Sequence, residues 1–251
     1  MICISFDTDH MRSDGMSIFL SMLHATMPGS GTFFLHEIFE ELFDAEHELA
    51  PHPLIDDLKH WDLDLRRLQT GIPRPIAGVR PHSCVFSHMI GTGLKAKGYT
   101  YISQSQQLYD NQIRPLRHPW GIWELPIYYM DNMDFWMCEN WPTLGHKPFA
   151  ESIIDAAVSS DNLFVFDFHP LHIALNSSDH KEYQAAKPFI LGDPAISPFT
   201  LANSKPGTRD FFERLCYAMK MSKLRSHTLS EALAHYCENP SPQANHANRV
   251  A

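Results

Sequence analysis

The order of apolar segments predicts an α/β protein built on a parallel sheet. Short strand-like runs alternate with segments whose apolar residues recur at helical spacing. This alternation is typical of βα units, in which each helix brings the chain back to the same end of the sheet. The 251 residues, 44% of them hydrophobic, can bury a sizeable core, and the length suits two domains or one α/β barrel. Without an internal repeat or a second domain, we expect a single domain over residues 1–239.

Seven segments are predicted to be strands. The last of them is an unbroken aromatic and aliphatic run, which indicates the most deeply buried strand. The third is predicted mainly from its position, and the sixth is interrupted by Pro126. In chain order the predicted strands cover residues 2–6, 32–36, 47–52, 76–82, 99–103, 121–130 and 162–169.

The segments between and after these strands are predicted to be mostly helical. Gly98 ends one of the helices, as glycine often does. The stretch 176–207 has mixed polarity with prolines and glycines, so we expect a long loop or lid. The polar tail at 240–251 is expected to be disordered. The predicted helices cover residues 15–25, 37–44, 54–70, 89–98, 151–160, 208–223 and 228–239.

Composition argues against several classes of protein. The net charge is −9 and no cluster of Lys and Arg occurs, so a nucleic-acid partner is not expected. The five cysteines are scattered without a CxxC pair, which indicates neither a zinc knuckle nor a disulfide framework. No signal-peptide pattern and no membrane-spanning apolar stretch are found. We expect a reduced, cytoplasmic protein, and the sequence does not specify its oligomeric state.

Titratable groups are concentrated where the predicted strands end. Ligand sites of parallel sheets lie at the carboxyl ends of the strands. Histidine occurs at four of these ends, in a chain that has 16 histidines, and this favours metal or proton chemistry. The groups at the strand ends are Asp7 with Asp9, His36, His52, Arg80 with His82, and His169.

Asp7 and Asp9 are spaced so that their side chains share one face of a strand. Two neighbouring carboxylates must differ in environment, or one of them must bind a cation. One could then ligate a divalent metal while the other takes a proton from water. The alternative is a strand that runs into a turn or a helix cap, where aspartate is common.

His52 and Asp56 are four residues apart, a spacing that would place both on one side of a helical turn as paired metal ligands. A lone histidine before Pro53 is more often a loop residue. Arg80 and His82 share one side of their strand end, and Arg80 could pair with a carboxylate and keep it ionised. A surface arginine beside a half-buried histidine is the alternative.

The stretch FVFDFHPLH at 164–172 is the sharpest single signal. His169 follows a strand that should be wholly buried, and Asp167 inside that strand needs a partner. His169 suits a general acid that protonates a leaving amine. The alternative is a histidine at the edge of the core whose ring nitrogens bond to the backbone.

Five stretches in order carry a resemblance to a known family. They are SFDTD, HELAPHP, GVRPHS, WELPIYYMD and FDFHPLHIALN, and the closing TLSEAL is similar to the last helix of that family. The chain resembles the polysaccharide deacetylases of the NodB-homology type over about residues 2–176, and is most similar to the WbmS-like branch. The resemblance implies a single distorted (β/α) barrel of about seven parallel strands. It also implies a divalent cation, usually Zn²⁺, with Co²⁺, Ni²⁺, Mn²⁺ and Fe²⁺ as alternatives.

The resemblance further implies hydrolysis of an N-acetyl or similar acyl amide on a sugar. Asp7 matches the general base of the family and His169 its general acid, whereas Arg80 matches the arginine that orients the base. Asp131 matches the acid that supports this arginine or the substrate.

Two metal ligands are implied at Asp9 and His52, but the third is open. Asp56 stands where the family has its second histidine, and His82 and His36 are the alternatives. A harder cation would suit Asp56 better.

Substrate contacts are expected from His82, Trp123 and Tyr128, although core packing would also explain the aromatic residues. The expected substrate is an N-acylated sugar, nucleotide sugar or oligosaccharide of cell-surface polysaccharide or glycoconjugate biosynthesis. The competing hypotheses are a metal-dependent amidase or esterase with a non-sugar substrate, and an inactive binding module on the same fold.

Overall fold

A computed structural model of the chain describes residues 1–193 and 195–238. Strands and helices alternate through most of this part of the chain. The strands are β1 (Ile2–Asp7), β2 (Thr32–Leu35), β3 (Glu48–Pro51), β4 (Gly78–Val79), β5 (Tyr101–Ile102), β6 (Leu116–Arg117), β7 (Trp123–Glu124), β8 (Tyr129–Met130), β9 (Phe164–Phe168) and β10 (Ser226–His227). The helices are α1 (Ser13–Thr26), α2 (Leu63–Gly71), α3 (His88–Ala96), α4 (Asp131–Asn140), α5 (Glu151–Val158), α6 (Pro170–Leu175), α7 (His180–Gly192), α8 (Thr208–Met221) and α9 (Leu229–Glu238).

The strands form two sheets that are almost entirely parallel. The larger has the order β3-β2-β1-β9-β8, and β10 pairs with the start of β1. The smaller has the order β4-β5-β7-β6, in which only β6 is antiparallel. β1 lies at the centre of the larger sheet, and all six of its residues are buried.

Backbone hydrogen bonds connect the two sheets on both sides. The N–H of Arg80 donates to Pro51 O at 3.2 Å, which joins β4 to β3. The N–H of Ile127 donates to Ser105 O at 2.8 Å, which joins the predicted strand 121–130 to the segment that follows β5. The last part of the same predicted strand, β8, pairs with β9. The sheets therefore continue into each other around a ring, and the α/β fold with mostly parallel strands predicted from the sequence is confirmed.

The core is rich in phenylalanine and fills the space between the strands and the surrounding helices. The Phe6 ring of β1 lies 4.7 Å from that of Phe33 in β2 and packs edge-on against Phe19 of α1 at 5.3 Å. Aromatic pairs at these distances contribute about 0.5–1.5 kcal/mol beyond their buried area. This packing fixes β1 as the strand against which the others align.

The prediction of one helix over 54–70 is wrong in its first half. A 3₁₀ turn occupies Leu58–His60, and the α-helix begins only at Leu63. The Asp57 carboxylate accepts the N–H of Lys59 at 2.9 Å, which is the local side-chain bond by which aspartate competes with a helix. The predicted helix at 37–44 is likewise only a short 3₁₀ turn.

The segment 176–207 is also more regular than the predicted loop, because α7 occupies its centre. Asp179 caps this helix by accepting the N–H of Glu182 at 2.9 Å, and Pro188 lies within the helix without ending it. The expectation of a loop gave too much weight to this proline, because the helix continues past it to Gly192. The predicted disordered tail at 240–251 lies outside the described residues. Across those residues, no helix combines the length and the apolar character needed to cross a membrane.

Substitution of Gly78 in β4 would test the packing of the smaller sheet. A Cβ on Gly78 would lie 1.9 Å from the Cζ of Tyr101, whose hydroxyl donates to Glu48 Oε1 at 2.9 Å. We expect Gly78→Ala to lower the free energy of unfolding by about 1–3 kcal/mol, as overpacking does, in urea denaturation followed by circular dichroism. Gly192→Ala is the control, because its Cβ would meet nothing within 4 Å. Equal stability of the two variants would contradict the packing described for β4.

Candidate active site

The side chains predicted from the strand ends lie together at one edge of the sheets. The parallel strands bring their carboxyl ends to this edge. Asp7, Asp9, His52 and His169 are buried there together with Arg80, which is wholly inaccessible to solvent. Ionisable groups are rarely buried unless they are paired, so their contacts indicate what each one does.

Arg80 is the cation around which the carboxylates are arranged. Its Nη1 donates to Asp7 Oδ1 at 2.8 Å and also to Asp167 Oδ1. Its Nε donates to Ser103 O at 2.7 Å, and Nη2 donates to the Ser103 hydroxyl at 2.9 Å. The guanidinium also lies over the Phe34 ring, 4.1 Å from its centroid. Arg80 therefore links β1, β2 and β9 to the segment that follows β5.

One guanidinium serves two buried carboxyl groups, and this leaves Asp167 short of positive charge. Burial and the neighbouring charge of Asp7 raise the pKa of Asp167 to about 8, although Arg80 acts in the opposite direction. Its Oδ2 is buried and has no hydrogen-bond partner among the described residues. When Asp167 carries a proton it has no charge, so the positive charge of Arg80 is balanced by Asp7 alone.

Asp9 is surrounded by histidines. His52 Nε2 lies 3.2 Å from Asp9 Oδ2, whereas His82 Nδ1 and His36 Nδ1 lie 3.0 and 4.0 Å from Oδ1. Burial alone would raise the pKa of Asp9, but the neighbouring imidazoles, His52 foremost, hold it well below its usual value. With His169, whose Nε2 is 3.7 Å from Oδ2, four imidazoles thus face one carboxylate.

The orientation of His52 is set by the main chain of Arg80. The Nδ1 of His52 lies 2.7 Å from Arg80 O, and a carbonyl can only accept, so the geometry assigns the proton to Nδ1. Nε2 is then the atom that faces Asp9, 3.2 Å from Oδ2, and it would give its lone pair to a cation bound between them. A ring nitrogen held in this way is the usual arrangement of a metal-ligating histidine.

These residues fit a divalent cation. The Nδ1 atoms of His36 and His82 are buried, and neither makes an aligned hydrogen bond with the described residues, although His82 Nδ1 is only 3.0 Å from Asp9 Oδ1. This state is expensive unless another group binds these nitrogens. The ligand atoms of Asp9, His36 and His82 lie within 4.8 Å of one another. One carboxylate with imidazoles is a donor set that suits Zn²⁺ and similar first-row cations.

The structure does not bring Asp56 to this cluster. Asp56 is exposed, and it belongs to none of the groups of candidate ligands formed by the described residues. The expected helical spacing between His52 and Asp56 is absent, because α2 begins only at Leu63. The two alternatives predicted from the sequence, His82 and His36, are the residues that lie beside Asp9.

His169 is held by Asp131. The Nδ1 of His169 lies 2.8 Å from Asp131 Oδ1, and its backbone N–H donates to Oδ2 at 2.8 Å. Burial disfavours the charged imidazole, but the carboxylate of Asp131 raises the pKa of His169 to about 10. Its Nε2 points into the site, 3.7 Å from Asp9 Oδ2.

Asp131 was expected to support Arg80 or the substrate, and it pairs with His169 instead of Arg80. Asp167 was expected to pair with a histidine or an arginine at the strand ends, and its partner is Arg80. His172 was not predicted as a site residue, although its Nδ1 lies 3.1 Å from Asp131 Oδ1. Its spacing of three residues from His169 on a helix is the signal that could have indicated it.

Neither aromatic residue expected to contact a substrate lies in the cluster. Tyr128 is 1% exposed, with its ring 4.8 Å from that of Phe164, so it is a core residue that a substrate cannot reach. The Trp123 ring packs edge-on against Tyr236 of α9 at 5.7 Å, with the Arg117 guanidinium nearby. Core packing, the alternative considered for both residues, is what the structure shows.

The raised pKa of Asp167 predicts a dependence of stability on pH. The folded chain keeps a proton that the unfolded chain releases above its ordinary pKa of 3.8, so this stabilisation is lost as the pH rises through about 8. The side chain of the variant Asp167→Asn does not titrate, so its stability lacks this dependence on pH. We expect the stability of the wild type relative to Asp167→Asn to fall between about pH 5 and pH 8, by up to about 1.4 kcal/mol per pH unit. Urea denaturation of both proteins at several pH values measures the difference, and a constant difference would contradict a protonated Asp167.

The sequence matches one family model over most of its length. The model describes WbmS-like polysaccharide deacetylases, and it matches residues 4–187. No curated protein sequence matches the chain significantly.

Solved structures show the same fold at low sequence identity. A candidate polysaccharide deacetylase involved in O-antigen biosynthesis from Bordetella bronchiseptica is 19% identical, with a TM-score of 0.68 over 86% of this chain and 89% of that chain. Peptidoglycan deacetylase PdaC from Bacillus subtilis, in its D285S mutant, is 12% identical, with a TM-score of 0.51 over 98% and 96% of the two chains. A 4-alpha-glucanotransferase from Thermococcus litoralis is 11% identical, with a TM-score of 0.52 over 93% of this chain and 38% of that chain.

Proposed function

Because the chain belongs to the family of WbmS-like polysaccharide deacetylases, we propose that it is a metal-dependent hydrolase that removes an N-acetyl or related acyl group from a sugar amide. The observation that carries the proposal is that three kinds of group lie together at one edge of the sheets. Asp9 with its histidines offers a cation site, Asp7 is an oriented carboxylate, and His169 is a protonated imidazole beside them. Metal-assisted amide hydrolysis uses each of these.

The cation would be held by Asp9, His52 and His82, with His36 next to them. His52 and His82 make the shortest contacts with the two oxygens of Asp9, and the nearest nitrogen of His36 is 4.0 Å away. Zn²⁺ suits this donor set best, and Co²⁺, Ni²⁺, Mn²⁺ and Fe²⁺ also bind imidazole and carboxylate. When bound, such an ion polarises the amide carbonyl and lowers the pKa of the water beside it.

Asp7 would act as the general base. One of its oxygens accepts Nη1 of Arg80 at 2.8 Å, while the other lies 3.7 Å from His52 Nε2. Arg80 thereby fixes the direction of the carboxylate, with one oxygen left toward the proposed cation site. As the water oxygen bonds to the carbonyl carbon, Asp7 accepts the proton that the water loses.

His169 would act as the general acid. Its raised pKa keeps Nε2 protonated at neutral pH, and Asp131 holds the opposite nitrogen. When the carbon–nitrogen bond breaks, Nε2 donates its proton to the nitrogen of the departing sugar, which leaves as a neutral amine. The acyl group leaves as a carboxylic acid that ionises in water.

The proposed substrate is an N-acylated sugar presented as a nucleotide sugar or an oligosaccharide. The family supports a carbohydrate substrate, and the relative from Bordetella bronchiseptica is described as involved in O-antigen biosynthesis. A role in making a cell-surface polysaccharide or glycoconjugate follows from this proposal. The reaction on a nucleotide sugar would take place in the cytoplasm.

The metal content of purified variants tests the proposed ligands. We expect the wild type to bind one equivalent of Zn²⁺. His82→Ala should bind it at least about tenfold more weakly, because the variant lacks one of the proposed direct ligands. Asp56→Ala is the matched control and should bind as the wild type does, since Asp56 is exposed. Atomic emission spectrometry after dialysis measures the content. A loss of metal in Asp56→Ala but not in His82→Ala would reverse the assignment.

Turnover by Asp7→Asn tests the general base. The variant keeps the size of the side chain and should keep the metal, but it cannot accept a proton, so we expect kcat to fall by about 10²–10⁴. Release of acetate from N-acetylated nucleotide sugars and oligosaccharides is the measurement, and Asp56→Asn is the active control. Full activity of Asp7→Asn would refute the role of Asp7, and acetate release only from non-sugar amides or esters would favour the alternative substrate class.

A further inference from the structure

We propose that His172 is a positioning residue for the general acid, which holds Asp131 and the ring of His169 so that Nε2 of His169 faces the reacting bond. The inference rests on the proposed function, because His169 needs a direction only if it delivers a proton.

The geometry comes from the start of α6. His169 is the N-cap of this helix, Pro170 is its first residue, and His172 lies in its first turn. The rings of His169 and His172 are 4.4 Å apart at an angle of 32°, and Nδ1 of His172 lies 3.1 Å from Asp131 Oδ1. His172 thus touches both members of the acid pair.

Asp131 already accepts protein N–H groups through both of its oxygens. Oδ1 accepts the backbone N–H of Asn132 at 2.6 Å and Nδ1–H of His169 at 2.8 Å, and Oδ2 accepts the backbone N–H of His169 at 2.8 Å. The ligand atoms of Asp131, His169 and His172 are close enough to hold a cation. However, these three donors leave only about one of the four lone-pair sites of the carboxylate, which one further N–H can take, so the contacts favour a hydrogen-bonded unit over a second metal site.

His172 contributes a neutral N–H to this unit. It is 2% exposed, and burial together with the charge of His169 lowers its pKa, although Asp131 opposes the shift. A neutral His172 does not compete with His169 for the charge of Asp131. Its Nδ1 is buried and makes no aligned hydrogen bond with the described residues, and Asp131 Oδ1, 3.1 Å away, is the acceptor within its reach.

Two aromatic rings close the far side of His172. Tyr183 of α7 packs edge-on against its ring at 4.5 Å, and Phe135 of α4 does so at 5.4 Å. The side chain cannot turn toward solvent, so His172 has one orientation available. The helix in the middle of 176–207 therefore acts on the acid through Tyr183 and His172.

The test compares variants of His172 that differ in the N–H group. We expect His172→Leu to lower kcat roughly tenfold or more, since an ionised carboxylate loses one of its donors, while KM changes less than about twofold because His172 is buried. His172→Asn retains a donor and should restore most of kcat. If His172→Leu does not fold by circular dichroism, His172→Phe, which keeps a ring without an N–H, takes its place.

The second readout does not depend on turnover. In metal-free, ¹⁵N-histidine-labelled protein, the Nδ1–H of His169 should give a slowly exchanging downfield signal, assigned by its loss in His169→Gln. We expect the exchange of this proton to be at least about fivefold faster in His172→Leu and unchanged in His172→Asn.

The outcomes distinguish the two proposals. An unchanged signal in His172→Leu would refute the positioning role of His172 but not the proposed function. A wild type that shows this signal without deacetylating any N-acylated sugar would refute only the proposed function. Loss of one of two metal equivalents in His172→Leu would instead show a second metal site and overturn the positioning role.

Discussion

The buried guanidinium of Arg80 is the constraint on which the rest of the site depends. A wholly inaccessible cation is tolerated only where carboxylates and hydrogen-bond acceptors surround it, and here Asp7, Asp167 and Ser103 supply them. These partners come from different strands or their extensions, so the side chain also fixes how the strand ends meet. Removing one member would leave a buried charge without a partner, which typically costs about 3–5 kcal/mol.

The same residue also acts through its main chain. The carbonyl of Arg80 orients His52, and its N–H joins β4 to β3 across the junction of the two sheets. Arg80 therefore connects the closure of the fold, the direction of Asp7 and the orientation of the His52 ring beside Asp9. For this reason the proposed base and the proposed cation site lie close together: both depend on contacts with the same residue.

The fold by itself does not select the reaction. Proteins described as deacetylases and as a glucanotransferase share this architecture with the chain at 11–19% identity. Function is carried by the side chains at the strand ends. In this chain Asp131 raises the pKa of His169, whereas the histidines around Asp9 lower the pKa of that carboxyl group. Such separation of neighbouring titratable groups is typical of acid–base catalysis.

The sequence by itself determined that strands alternate with helices, where the seven main strand segments lie and which residues stand at their ends, but it did not show α4, α6 or α7. The features that it determined follow from local rules, since periodicity defines an element and parallel strands present their carboxyl ends at one edge. Asp7, Asp9, His52 and His169 were therefore within reach of prediction. Local rules failed at Asp57, whose carboxylate accepts the N–H of Lys59 where a helix was predicted. The α-helix begins only at Leu63, so Asp56 does not lie one helical turn from His52 and is not in the site.

Only the tertiary structure decided which partners the buried charges have. Asp131 pairs with His169 and His172, Asp167 pairs with Arg80, and His36 and His82 turn toward Asp9. These pairs join residues far apart in the chain, and each depends on the register between neighbouring strands, where a shift of one residue reverses the direction of every side chain. The register is set by packing of the whole core, and for that reason no local pattern specifies it.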